Sequence, residues 1–168
     1  LATNLSPAQC RQVAHAARNN NPAAVRVMLA AGWPVDVLGQ HCATPLHWAA
    51  FHGNAEMTRE ILRYDPSLEL TDADFQATPL GWAIHGSEHG WYCGTGNYAG
   101  TVELLLKAGA KLPKKTNGGT ETVKEMLRVR RDLVGTGNRL DTLDIGDGAE
   151  IEERLRQARA ADKAADEA

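Results

Sequence analysis

His85, His89 and Cys93 follow one another at intervals of four, and His52 is a further ring that folding could bring alongside them. Imidazole and thiolate groups spaced in this way on one helix face could hold a zinc ion in a tetrahedral site. The spacing works only on an unbroken helix, and Gly86, Gly90 and Gly94 argue against one. The reading is therefore that no metal is bound, with a metal site in residues 85–97 as the alternative. Other chemistries fail on pattern. Gly135-Thr136-Gly137-Asn138 lacks a third glycine and a preceding strand, which a dinucleotide loop needs. Asp141, Asp144 and Asp147 are spaced by three, where a calcium loop alternates by two. Ser6, Ser67 and Ser87 stand in no nucleophile elbow, and no Ser-His-Asp, Cys-His or paired-carboxylate arrangement is discernible. The expectation is a protein that is not an enzyme and has no cofactor.

Composition narrows the partners. The formal net charge is −3, which argues against general affinity for nucleic acid or anionic membranes. Arg128, Arg130 and Arg131 form one basic cluster, but Glu121, Glu125 and Asp132 surround it, so it reads as a solvated helix face. Cys10, Cys42 and Cys93 are odd in number and far apart, forming neither a disulfide framework nor a CxxC pair. That favours a reducing compartment, and a cytoplasmic location is expected. No apolar run approaches the roughly 20 residues that span a bilayer, and no signal-peptide core opens the chain. The first residue is Leu1 rather than Met, so a fragment or processed product is expected.

The elements that position these side chains come from a repeat. Thr44-Pro45-Leu46-His47-Trp48-Ala49-Ala50 recurs as Thr78-Pro79-Leu80-Gly81-Trp82-Ala83-Ile84, 34 residues later. A degenerate copy lies 33 residues before the first, with Val13 under Leu46, Ala16 and Ala17 under Ala49 and Ala50, and Leu29 under Leu62. Thr44 and Thr78 suit helix N-caps, and Pro45 and Pro79 the first helical position, where no N–H is needed. Leu46 and Leu80 face a core, while Ala49, Ala50 and Ala83 let another helix approach closely. Gly53 closes the first helix of the middle copy in a left-handed conformation. A second helix follows in each copy: Val25, Met28 and Leu29; Met57, Ile61 and Leu62; Val102, Leu105 and Leu106.

Thr-Pro-Leu-His at 44–47, the alanine pair at 49–50 and Leu-Leu-Leu-Lys-Ala-Gly-Ala at 104–110 together resemble the ankyrin repeat. The resemblance implies an all-α solenoid of about three helix-turn-helix repeats with irregular hairpin loops, followed by C-terminal capping helices. It covers residues 5–112, divided at 5–37, 38–70 and 71–112, with an insertion at 87–97. The first copy replaces Thr-Pro-Leu with polar Arg11, Gln12 and Arg18, as an end repeat should. Gly81 stands where the family has a histidine that ties neighbouring loops, and the hairpin glycine is Cys42 in one copy and absent near Phe75-Gln76 in the other.

The insertion joins glycines to Trp91 and Tyr92, which would bury themselves where they can, so it reads as an ordered loop serving either recognition or as a lid on the core. Residues 113–134 read as a capping helix opened by Thr122-Val-Lys-Glu125, with Val123, Met126, Leu127 and Val134 on one side. Residues 135–168 read as a Gly/Asp-rich loop and a charged tail helix bearing Ile151, Leu155 and Ala158, with Glu152 and Arg156 as an ion pair.

In the family, hairpin loops and first helices line a concave surface that binds another protein. By position the resemblance puts Gln40, His41 and Ala43, then Asp74, Phe75 and Gln76, on the loops. On the first helices it puts Phe51, His52 and His85 outward, with Arg18 and Asn19 in the first copy. Phe51 and Phe75 carry most weight, because interface energy concentrates in aromatic and arginine anchors. Trp48 and Trp82 take a half-buried position between repeats, as packing residues or as a groove edge; Trp82, Trp91 and Tyr92 complete the candidate set. The expected function is a protein-interaction module, monomeric, binding no nucleic acid and no membrane. The alternatives are the 85–97 metal site and a regulatory appendage of a larger enzyme.

Overall fold

The computed structural model describes residues 4–135 and Arg156. The aspartate-rich reading at 141–147 and the tail-helix reading, Arg156 excepted, lie outside the described residues. The chain forms two compact units, Leu1–Lys111 and Leu112–Ala168.

A single turn, α1 (Pro7–Cys10), leads into three helix pairs in the first unit. They are α2 (Gln12–Arg18) with α3 (Pro22–Ala30), α4 (Pro45–Phe51) with α5 (Ala55–Leu62), and α6 (Pro79–His89) with α7 (Tyr98–Ala108). First helices stack on first helices and second on second, so each pair covers its neighbour's apolar flank. Ala17, Ala49, Ala50 and Ala83 are fully buried, and their small side chains set the close spacing of the first-helix row. Leu46, Leu80, Val25, Leu29, Met57, Ile61, Val102 and Leu105 fill the space between rows.

Start signals act as their chemistry requires. Thr44 and Thr78 each accept a hydrogen bond at Oγ1 from the backbone N–H three residues on, with proline in the first turn. The second helices share a different cap. Asn21, Asn54 and Asn97 each accept from the N–H of the third residue following, Ala24, Met57 and Gly100 respectively. The interval from Asn54 to Asn97 exceeds the interval from Asn21 to Asn54 by ten residues, which measures the insertion. Part of that insertion is helix rather than loop: α6 continues unbroken to His89, through Gly86. The expectation that Gly86 interrupts the helix is therefore corrected: the glycine serves the close approach of the α4 backbone, a tertiary contact that local propensity does not register.

His47 links successive copies. Its Nδ1 accepts from the Thr44 N–H at 3.1 Å, and its Nε2 donates to the Ala77 carbonyl oxygen at 3.1 Å. Burial pushes its pKa below 6.5, and the carbonyl bond and nearby carboxylates only partly oppose this. A second proton on Nδ1 would face the Thr44 N–H. The neutral ring is thus favoured by folding, so its stabilisation is complete above pH 6.5 and is lost as pH falls through the folded value. His52, whose pKa burial also lowers, adds a contribution of the same sign. We expect the urea midpoint to fall between about pH 7 and pH 5, and to fall less steeply in His47→Gln; a flat midpoint across that range would contradict this assignment.

The hairpins are irregular, as expected from their missing glycines. His41, Cys42 and Gln76 take left-handed conformations at φ 62°, 54° and 52°. Adjacent hairpins are cross-linked by the Ala73 N–H donating to the His41 carbonyl at 2.8 Å, and by a short contact between His41 Nδ1 and Asp74. Among the described residues there is no strand.

In the second unit α8 spans Glu121–Gly135. It begins at Glu121, so Thr122 lies inside its first turn and is buried there, not ahead of it as a cap. Val123, Leu127 and Val129 are buried, whereas Val134, expected on the apolar side with Val123 and Leu127, is 47% exposed. Lys124 pairs with Glu121 and Arg128 with Glu125, and Arg131 donates to the Pro113 carbonyl and Thr116 hydroxyl at 3.2 Å each.

Candidate functional site

The outer row of first-helix side chains is aromatic. Trp48 on α4 and Trp82 on α6 meet edge to face, with centroids 5.0 Å apart at 85°. Phe51, one turn along α4, stands edge-on to Trp82 at 5.7 Å. The insertion brings Trp91 back over this row, 5.6 Å from Phe51 and stacked at 6.0 Å on Trp48. On the hairpin side Phe75 stacks on His85 at 6.5 Å. Together with His41, Asp74, Ala77 and Gly81 these rings enclose a groove of about 470 Å³, a size suited to one or two bulky side chains or a small ligand.

The hairpin wall is held by a buried carboxylate. Asp72 accepts from the backbone N–H groups of Asp74, Phe75 and Ala77 at 2.9, 2.7 and 2.9 Å, and from the Trp82 indole at 2.9 Å. Burial alone would raise its pKa, but these four donors outweigh it and hold the carboxyl below its usual range. Phe75 is thereby presented to solvent at 74% exposure from a braced turn rather than a loose one. Ten residues before Trp48, where this carboxylate would recur, stands Leu38. The Trp48 indole N–H is accordingly buried with no hydrogen-bond partner among the described residues.

Of the residues selected from sequence, His41, Phe51, Phe75, Trp82, His85 and Trp91 line the groove. Gln40, Gln76, His52 and Tyr92 do not. Gln76 instead donates to the Asp72 and Ala73 carbonyls at 3.2 and 3.3 Å, bracing the turn from behind. His52, expected outward, is only 2% exposed and donates from Nε2 to the Arg18 carbonyl at 2.8 Å. Tyr92 lies edge-on to His52 at 5.2 Å, and Ala43, expected on the loop surface, is fully buried. Trp48 and Trp82, expected half-buried, are 4% and 7% exposed. Gly81 and Ala77 are lining residues that sequence reasoning missed. A signal existed for the first: glycine in place of the expected histidine removes a ring at the groove floor. His85 and His89 do share a face of α6, with rings 5.0 Å apart, but no set of three or more metal-binding side chains is assembled among the described residues.

Residues 13–116 match the family model for ankyrin repeats (3 copies). The chain belongs to the ankyrin-repeat family. Its ankyrin repeats are similar to a stretch of palmitoyltransferase Hip14 of Drosophila melanogaster, 31% identical over 88 residues. That stretch is 52% of this chain and 12% of the relative, so the chain spans a small part of that protein's length. Among solved structures, the human ASB11 ankyrin repeat domain superposes with a TM-score of 0.53 at 20% identity, covering 76% of this chain and 54% of that one. At that identity the likeness is one of fold. Among the described residues no helix is long and apolar enough to cross a membrane.

Proposed function

We propose that this ankyrin-repeat chain is a non-catalytic module that binds another protein through the aromatic groove on its first-helix row. One observation carries the reading: rings from α4, the following hairpin, α6 and the insertion converge on one open groove whose rim residues Phe75 and Trp91 are 74% and 61% exposed. Large exposed aromatic groups weaken solubility and have a use at interfaces, where such side chains dominate binding energy. The hairpin hydrogen bonds of Asp72 support it, because a rim fixed in advance costs less ordering on binding.

The test is affinity capture from source-cell lysate by the intact chain and by a Phe51→Ala/Phe75→Ala/His85→Ala variant, read by mass spectrometry. A partner retained by the intact chain and weakened about 30-fold or more in the variant, with helicity unchanged, is expected for a hot-spot cluster. Identical protein lists from both would end this reading. A second reading, a regulatory appendage of a larger enzyme, is favoured by the matched relative being a palmitoyltransferase of which the match occupies 12%. It is compatible with the first, the partner then being a segment of the same polypeptide.

A further inference from the structure

Charge is distributed unevenly along the chain. No Asp or Glu precedes Asp36, so the two helices of the first repeat carry Arg11, Arg18, Arg26 and His15 with no carboxylate between them, and Asp36, beyond the second helix, accepts from the Ser67 N–H. Glu56 reaches across from α5 to pair with Arg26 at 2.6 Å. Arg11, His15 and Arg18 follow at intervals of four and three, one face of a helix, and none of them has an ion pair among the described residues. In repeat register Arg18 takes the position of Phe51 and His85, at offsets of 33 and 34, so this basic face continues the aromatic row.

Arg18 adjoins two of the rings that line the groove. The Arg18 guanidinium lies 5.6 Å from the centre of the Trp48 ring and 5.8 Å from that of Trp91. Four buried side-chain polar atoms lack hydrogen-bond partners among the described residues, and three of them meet here: Arg18 Nε, Trp48 Nε1 and His52 Nδ1. Unsatisfied buried groups are uncommon, and a cluster of them marks a place where an external group completes the network. The two N–H donors and an unpaired cation call for an anionic acceptor. Asp74, the groove's own carboxylate, is already hydrogen-bonded by His41, whereas the Arg18 guanidinium has no carboxylate partner among the described residues.

Resting on the groove reading above, we infer that the bound partner is an acidic–apolar segment of another protein, whose bulky apolar side chain fills the aromatic groove and whose neighbouring Asp or Glu carboxylate pairs with Arg18. A planar guanidinium backed by aromatic faces is preorganised for a carboxylate fork, and a lysine or arginine on the partner would meet like charge there.

Random dodecapeptides displayed on phage, panned on the full chain, test this. Enriched peptides are expected to carry Asp or Glu within two residues of Trp, Phe or Leu. Synthetic versions, titrated by tryptophan fluorescence, should bind about tenfold or more weakly to Arg18→Gln and to Phe51→Ala, with Arg18→Lys intermediate. Arg18→Glu should turn selection toward lysine-bearing peptides. On the unmodified chain, affinity for the acidic peptides should fall as salt rises, a readout that needs no variant. Peptides that depend on Phe51 yet lack acidic residues, ignore salt and bind Arg18→Gln within twofold would overturn the acidic specificity while leaving the groove standing. No enrichment, or binding indifferent to Phe51→Ala, would overturn both.

Discussion

Replacing Tyr98 with alanine is expected to destabilise the repeat unit by about 3–5 kcal/mol, the range for losing a buried aromatic side chain. Tyr98 is the first residue of α7, is 5% exposed, and donates its hydroxyl to the Phe51 carbonyl at 2.8 Å, across 47 residues of chain. Burial raises its phenol pKa, so the hydroxyl keeps its proton and serves as a donor throughout the physiological range. Glycines make room for the ring: a Cβ at Gly53 would fall 2.9 Å from it, and one at Gly96 2.7 Å. Gly53 also needs its φ of +61°, which a side chain would resist. Nearby, the Asn97 N–H donates to the Gly53 carbonyl at 2.8 Å. The return of the insertion is thus fastened to the turn between α4 and α5, and Trp91 owes its place over the groove to that fastening. Tyr98→Phe, which keeps the ring and loses the donor, should cost about 1 kcal/mol. Urea unfolding of the three proteins checks the ranking. A Tyr98→Ala loss below about 1 kcal/mol would show that the ring is dispensable.

Gly86→Ala is expected to destabilise by about 2 kcal/mol, although helix propensity by itself predicts a gain of about 1 kcal/mol for alanine over glycine. Gly86 lies in the interior of α6 and is buried. A Cβ there would sit 2.4 Å from the Phe51 carbonyl oxygen and 3.1 Å from its Cα. These are backbone atoms of α4, which cannot rotate aside, so the clash costs about 3 kcal/mol by pushing two helices apart. Gly94→Ala is the control. A Cβ at Gly94 meets nothing within 4 Å, and its effect should stay within about 0.5 kcal/mol. Should Gly86→Ala melt at or above the parent temperature, the close approach of α4 and α6 would not be rigid. Because Phe51 belongs to the groove, the same variant should also weaken partner binding.

The division of labour between sequence and fold can be read from these residues. Caps, proline starts and small-residue pairs act within a few positions, so Thr44-Pro45 and Thr78-Pro79 located α4 and α6, and the period located their partners, without reference to anything distant. Phe51, Phe75 and Trp82 were legible for the same reason, because repeat position predicts which row or hairpin a side chain joins, whereas Trp91 stood out only as an aromatic residue in a glycine-rich insertion. Which of them meet was decided only by tertiary packing. Gly86 reads as a helix breaker locally, yet α6 runs through it, and the glycine is needed there because α4 passes too close for any side chain, a contact that spans 35 positions. His52 reads as outward by period, yet it turns inward to the Arg18 carbonyl of the neighbouring repeat. The lone indole N–H of Trp48 follows from Leu38 standing where Asp72 stands one repeat later, a difference that matters only once the hairpin folds back over the ring. Local hydrogen bonds and steric preferences are written in neighbouring residues, whereas close approach and hydrogen-bond satisfaction depend on atoms far apart in the chain, and only the folded stack brings those together.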